Sequence, residues 1–210
     1  MTVAGAPRTP TRAFFERDAV EVAPQLLGAI LSHRTPEGIV AVRITEVEAY
    51  RGAGEDPGSH AHRGPTPRTR VMFAEPGRLY AYFSYGMHVC ANIVCSPAGA
   101  ASAVLLRGGE VVGGLELARM RRRPTASVDR DLARGPARLA MALGIGLGDG
   151  GSDILSEPFR LAVSGDAEIF ASGPRTGVSG AGGSAGFPWR FWLPGEPTVS
   201  PYRRHAKSHE

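Results

Sequence analysis

The sequence predicts a single mixed α+β domain, and three features carry that reading. Apolar residues alternate through "GIVAVRITEVEAY" at 38–50. Two further strand-like runs, "RLYAYFSY" and "HVCANIVC", flank a turn near Gly86. The segments "VGGLELARMRRR" and "GPARLAMALG" have helical spacing and helical end signals. At 210 residues the chain is long enough to bury a substantial core as one large domain. No apolar run reaches the ~18 residues of a membrane span, and neither a repeat nor an interdomain linker is evident.

Taken in order, residues 1–13 read as a disordered leader without the apolar stretch of a secretory signal, and the expected location is the cytoplasm. Asp18 and Glu21 have capping-box spacing, and Val20, Ala23 and Leu27 follow at helical intervals. Pro24 interrupts them, so this helix is short or kinked. "ILSH" and 38–50 form two strands around the turn "TPEG". Val40, Val42 and Ile44 share one face. If the alternation holds, Glu46, Glu48 and Tyr50 continue that apolar face, where carboxylates are costly without a task or a partner. Residues 51–78 read as a long loop with one helical turn near "RVMF". "SAVLLRG" is a strand, and "VGGLELARMRRR" a helix with a cationic last turn, favourable at the negative end of its dipole. "GPARLAMALG" starts at Pro136 and stops at Gly144. "FRLAV", "RTGVS" and "WRFW" read as short strands, and "GLGDGGS" and "SGAGGSAG" as loops without nucleotide-binding spacing. The domain is expected to span 14–200, with 201–210 as a flexible tail.

The net charge is +4, and of 24 basic residues only Lys207 is lysine. Arginine's planar fork suits phosphate, so a polyanionic partner fits, although richness in Ala, Gly and Arg together also follows from a GC-biased genome. Cys90 and Cys95 lie five apart on one strand and face opposite ways, against both a disulfide and a metal knuckle. Three of the five tyrosines, Tyr80, Tyr82 and Tyr85, fall within "YAYFSYGMH". A plain core favours Leu, Ile or Phe, because each buried phenol needs a hydrogen-bond partner. Aromatic faces with polar groups at their edges grip a nucleobase taken out of its helix. A ring at a hairpin tip can fill the gap that the base leaves. A nearby carboxylate can deprotonate a water for attack at the sugar C1′. Glu48, Tyr50, His60, Tyr82, Tyr85, Asn92 and Arg107 supply these parts.

The stretches "RITEVEAYRG", "DPGSHAHRGPTPRTRVMFAEPGRLYAYFSYGMHVCANIV" and "AVLLRGGE", with "ARGPARLAMALGI" and "PWRFW", closely resemble the alkyladenine (3-methyladenine) DNA glycosylase family over roughly residues 14–193. The resemblance implies a monofunctional base-excision enzyme. It would hydrolyse the N-glycosidic bond of damaged purines such as 3-methyladenine or hypoxanthine in double-stranded DNA, as a monomer without cofactor or metal. The expected architecture is a curved antiparallel sheet surrounded by helices, with a protruding hairpin. By the same resemblance Glu48 is the catalytic general base, and Tyr50, His60 and Tyr82 line the base pocket. Asn92 discriminates against guanine, Arg107 lines the pocket, and Tyr85 intercalates. Apart from the resemblance, Met87, Arg121 and Arg122 are further candidates for DNA contact, the basic run at 121–123 reading first as a solvated helix end. Tyr80 reads instead as a core tyrosine. Val111, Thr176, Pro24 and the glycine-rich 179–186 loop depart from the family pattern. Two other readings compete: a non-catalytic binder of damaged DNA on the same scaffold, and a metal-dependent hydrolase built on Asp56, His60 and His62.

Overall fold

The structure is a computed structural model that describes residues 6–84, 86–126 and 128–209. Its centre is an eight-stranded sheet in which all strand pairs are antiparallel. β1 (Ile30–Thr35) and β2 (Gly38–Tyr50) form the first hairpin around residues 36–37. β3 (Leu79–Ser84) and β4 (His88–Cys95) form the second. β5 (Ser102–Gly113), β6 (Phe159–Ala162), β7 (Ala171–Gly173) and β8 (Arg190–Trp192) complete it. The order is β3-β4-β5-β2-β1-β6, with β8 bridging β2 and β7.

The first helical stretch is short, as Pro24 requires. α1 (Arg12–Phe15) and α2 (Ala19–Val22) have four residues each, and a 3-10 turn at Ala23–Leu26 takes over at the proline. Asp18 caps α2 by accepting from the Val20 amide and pairs with Arg51 at 3.0 Å. α3 (Leu115–Arg122) and α4 (Pro136–Leu143) pack on the sheet and on each other. Gly144 ends α4 at φ 74°, a conformation natural to glycine. The main core lies between these helices and β1, β2, β4 and β5. A smaller cluster of Ala61, Met72, Tyr80, Val94, Ala101 and Ala103 sits beneath the second hairpin. Tyr80 is thus buried, as read from the sequence.

Two elements differ from the sequence reading. "RTGVS" is loop, and the strand lies just before it, at β7, because Arg175 is drawn inward by partners on other segments. More consequentially, the alternation along β2 breaks. Against β5 the register shifts between Ile44 and Glu46 and again between Glu46 and Val47. Val40, Val42 and Ile44 enter the core from even positions, but beyond the shift Val47 and Ala49 enter it from odd ones. A one-residue irregularity inverts the facing of every later side chain. Glu46, Glu48 and Tyr50 therefore do not continue the apolar face. At the same point β2 changes neighbour: β1 covers Gly38–Arg43, while β8 covers Glu46–Glu48.

The end of the chain also bonds back onto the domain. Gly177 donates to the Arg203 carbonyl at 2.9 Å, and Gly180 to that of Lys207 at 2.8 Å. Among the described residues no helix is long and apolar enough to cross a membrane.

The irregularity in β2 needs close backbone approach on the facing strand. Gly109 lies opposite Ile44, and a Cβ there would stand 2.6 Å from the Arg43 carbonyl oxygen. Gly109→Ala is expected to destabilise the protein by about 1–3 kcal/mol, measured by urea unfolding. A loss below ~0.5 kcal/mol would mean that the strands relax without strain.

Candidate active site

The end of β2, the loop after it, β3, β4, β5 and the 176–179 loop enclose a cleft of about 960 Å³. Glu48, Tyr50, His60, Tyr82, Asn92 and Arg107 all line it. Tyr85 lies outside the described residues.

Glu48 sits at the cleft floor, its residue fully buried between β5 and β8. Its contacts form a set of donors. The Tyr50 hydroxyl donates to Oε2 at 2.8 Å, and the Thr176 amide donates to Oε1 at 2.7 Å. Arg107 Nε stands 3.5 Å from the same Oε1. Burial, then the charge of Glu48, raises the Tyr50 phenol well above its ordinary pKa, so it stays a donor at neutral pH. For Arg107, burial opposes the charge, but Glu48 and Glu46 together outweigh it and raise the pKa.

Glu46, two positions before Glu48 and on the same side of the strand, organises a second layer. It is fully buried. Oε1 accepts from Arg107 Nε at 2.9 Å, Arg190 Nε at 2.6 Å and the Ser200 hydroxyl at 3.0 Å, while Oε2 accepts the Ser200 amide at 2.7 Å. Two buried carboxylates and two buried arginines thus balance in charge, with Arg107 shared between Glu46 and Glu48.

The ring wall comes from three segments. His60 and Tyr82 meet edge to face at 4.6 Å, and Tyr80 stacks obliquely on Tyr82 at 5.4 Å and 29°. The Tyr80 hydroxyl is 3.2 Å from His60 Nδ1. Desolvation, helped by the Arg68 charge, lowers the His60 pKa and keeps the ring neutral at pH 7. Burial pushes the Tyr82 phenol far above its usual value. Arg68 lies 5.2 Å over the Tyr82 ring and donates to the Phe83 carbonyl. Asn92 is buried, and its amide nitrogen donates to the Tyr80 carbonyl at 3.0 Å, which fixes its orientation.

Sequence reasoning missed Arg175. Its side chain is fully enclosed, and it makes a bidentate pair with Asp56 at 2.6 and 2.7 Å. It also donates to the Ala49 and Gly182 carbonyls and lies 4.4 Å over the Tyr50 ring. One face of Tyr50 is therefore covered by a cation. Asp56 further accepts from the amides of Arg51 and Gly58. Both its oxygens are engaged, and His60 Nδ1 faces Tyr80, which removes the basis for a metal site on Asp56, His60 and His62. Among the described residues no group of three or more His, Cys, Asp or Glu is arranged to hold a metal ion.

Three positions expected to meet DNA separate. Met87 is 71% exposed beside the hairpin turn. Arg122 is buried and donates to the Leu132 carbonyl, while Arg121 donates to Thr35 Oγ1 and the Ala142 carbonyl. These two arginines are thus engaged within the fold, although Met120 between them and Arg119 is 57% exposed. Cationic side chains gather elsewhere. A second cleft of about 460 Å³ adjoins the first, sharing Arg107, Thr176 and Arg203 with it, and adds Arg134, Arg138 and one carboxylate, Asp131.

A family model for Methylpurine-DNA glycosylase (MPG) matches residues 13–197. A protein of Leifsonia xyli subsp. xyli is 64% identical over 95% of both chains, and one of Streptomyces avermitilis is 53% identical over 97% of both. One of Burkholderia lata is 48% identical over 93% of this chain and 94% of its own. All three bear the name "Putative 3-methyladenine DNA glycosylase".

The Asp56–Arg175 pair shapes the wall behind Tyr50, and removing one partner strands the other charge in the interior. Asp56→Ala is expected to cost about 3–5 kcal/mol, read by chemical denaturation followed by circular dichroism. A change under ~1 kcal/mol would show that water reaches Arg175.

Proposed function

This chain belongs to the methylpurine-DNA glycosylase family, and we propose that it is a monofunctional glycosylase that extrudes alkylated or deaminated purines from double-stranded DNA and hydrolyses their N-glycosidic bond. The observation that carries this reading is Glu48. A buried carboxylate faces a cleft wide enough for a nucleoside, and its partners are two hydrogen-bond donors and one cation.

In this scheme Glu48 accepts a proton from a water whose oxygen bonds to C1′, and the C1′–N bond breaks with its electron pair leaving on the purine. The products are a free base and an abasic site. Cationic 3-methyladenine departs as a neutral base, whereas hypoxanthine needs a proton on the ring. Arg107 offsets the negative charge beside the attacking water. Arg175 covers one face of Tyr50, which leaves the opposite face for the base, and His60 and Tyr82 form the facing aromatic wall. Asn92, held by the Tyr80 carbonyl, is placed to select at the purine edge. Tyr85 is assigned, on its motif, to fill the gap in the stack, and Met87 is exposed for contact with DNA. Extrusion costs a few kcal/mol, least for a mispaired or damaged base, so ease of flipping adds to selectivity. The arginine-lined second cleft continues the pocket floor and suits the phosphodiester backbone of the extruded nucleotide.

Three outcomes test this function. A duplex carrying one hypoxanthine, incubated with the protein and then treated with hot alkali, is expected to break at the lesion, and Glu48→Gln to slow that step at least ~100-fold. Uncut duplex, or undiminished cutting by the variant, would refute the assignment. Tyr85→Ala is expected to weaken capture of lesions in duplex more than in single strands, and equal losses would remove the plug role. Arg138→Ala should reduce the salt dependence of binding by about one counterion, measured by affinity across a salt series, with an unchanged slope ruling out a phosphate contact.

A further inference from the structure

Oxygen Oε1 of Glu48 accepts from the Thr176 amide and faces the Arg107 cation at 3.5 Å, and the same distant stretch of chain bears on both. On one side, Ser200 gives both its amide and its hydroxyl to Glu46, and Glu46 holds Arg107 at 2.9 Å. Arg190 closes that corner by bonding Glu46 and the Ser200 carbonyl together. Thr198 reinforces it through Thr45, hydroxyl to hydroxyl at 2.8 Å.

On the other side, the Gly177 amide, next along from Thr176, is fixed by the Arg203 carbonyl at 2.9 Å. The loop then runs through Gly180, Gly182 and Gly183, residues with little conformational preference of their own. Its far end is pinned by Gly180 to the Lys207 carbonyl and by His209 to the Gly180 carbonyl. These bonds hold the loop on the far side of Thr176 from Arg175, which is itself anchored by Asp56 and by the Ala49 and Gly182 carbonyls.

We propose that residues 198–209 are a positioning strap for the catalytic carboxylate, with Ser200 and the main chain of Arg203 as its two points of action, so that most of the flexible tail expected at 201–210 belongs to the strap. This rests on Glu48 being the general base. The strap touches no reacting atom. It acts by helping to fix the amide that donates to one oxygen and the cation that faces it, and through them the direction in which Glu48 meets the attacking water. Displacement of a catalytic group by about 1 Å lowers rates up to ~100-fold, so the effect falls on the chemical step.

The test compares the full chain, a chain ending at Ser200, and Ser200→Ala. The measured quantities are the single-turnover excision rate at saturating enzyme, which removes any change in affinity, and the thermal midpoint. The shortened chain is expected to lose at least ~10-fold in saturated rate, and Ser200→Ala about 3-fold, with both thermal midpoints within a few degrees of the full chain. Saturated rates within 2-fold of the full chain for both variants would overturn the proposal. So would a rate loss that tracks a large drop in thermal midpoint, which would make the segment an ordinary part of the fold. If the full chain released no base, or Glu48→Gln released it at full speed, the general-base reading would fall and the strap with it.

Discussion

A carboxylate can be kept at the floor of a protein cleft only where the chain supplies donors at the moment it removes water, because an uncompensated buried charge is far too costly to retain. In this molecule that constraint falls on two glutamates two residues apart. The register shift in β2 turns Val47 and Ala49 into the core and leaves Glu46, Glu48 and Tyr50 on the opposite side. There, β8 in place of β1 stands beside them and brings Arg190 into reach. The same irregularity thus creates the electrostatic problem and delivers part of its solution.

The arginines divide their labour by depth. Arg190, Arg107 and Arg175 are buried and each is matched to carboxylates: Arg190 to Glu46, Arg107 to Glu46 and Glu48, and Arg175 to Asp56. They define where the walls and the base stand. Arg134 and Arg138 are partly exposed and share a single aspartate, so their charge is available to a ligand. Cationic side chains therefore stand beside the cleft, while Arg121 and Arg122 at the end of α3 are held by Thr35 and by main-chain carbonyls.

Much of the scaffold was legible because its signals are local. Pro24, the 36–37 turn, Pro136 and Gly144 each act within a few residues, and the elements they bound appear where expected. The members of the cleft were legible from the motifs, and the described ones line one cavity. What escaped reading is long-range. Alternation along β2 carries no mark of the extra residue, since Thr45 fits a regular strand as well as an irregular one. Arg175 lies 119 positions from its partner Asp56, and its only signal was its place in the motif next to Thr176. "RTGVS" resembles a strand by composition, yet the pull of that buried pair makes it a loop. The role of Ser200 at the end of the expected domain had no local signal, because its acceptor is 154 positions upstream.

Cys90 has been a bystander so far, although it lines the cleft opposite Tyr82 in the hairpin register and is almost fully covered. Burial raises its pKa above the ordinary thiol value, so the sulfur stays protonated and a poor nucleophile. The electrophiles that methylate purines also attack thiolates. A repair pocket with a reactive sulfur would be poisoned by the very exposure that calls it into service, and burial of Cys90 keeps its thiolate form scarce.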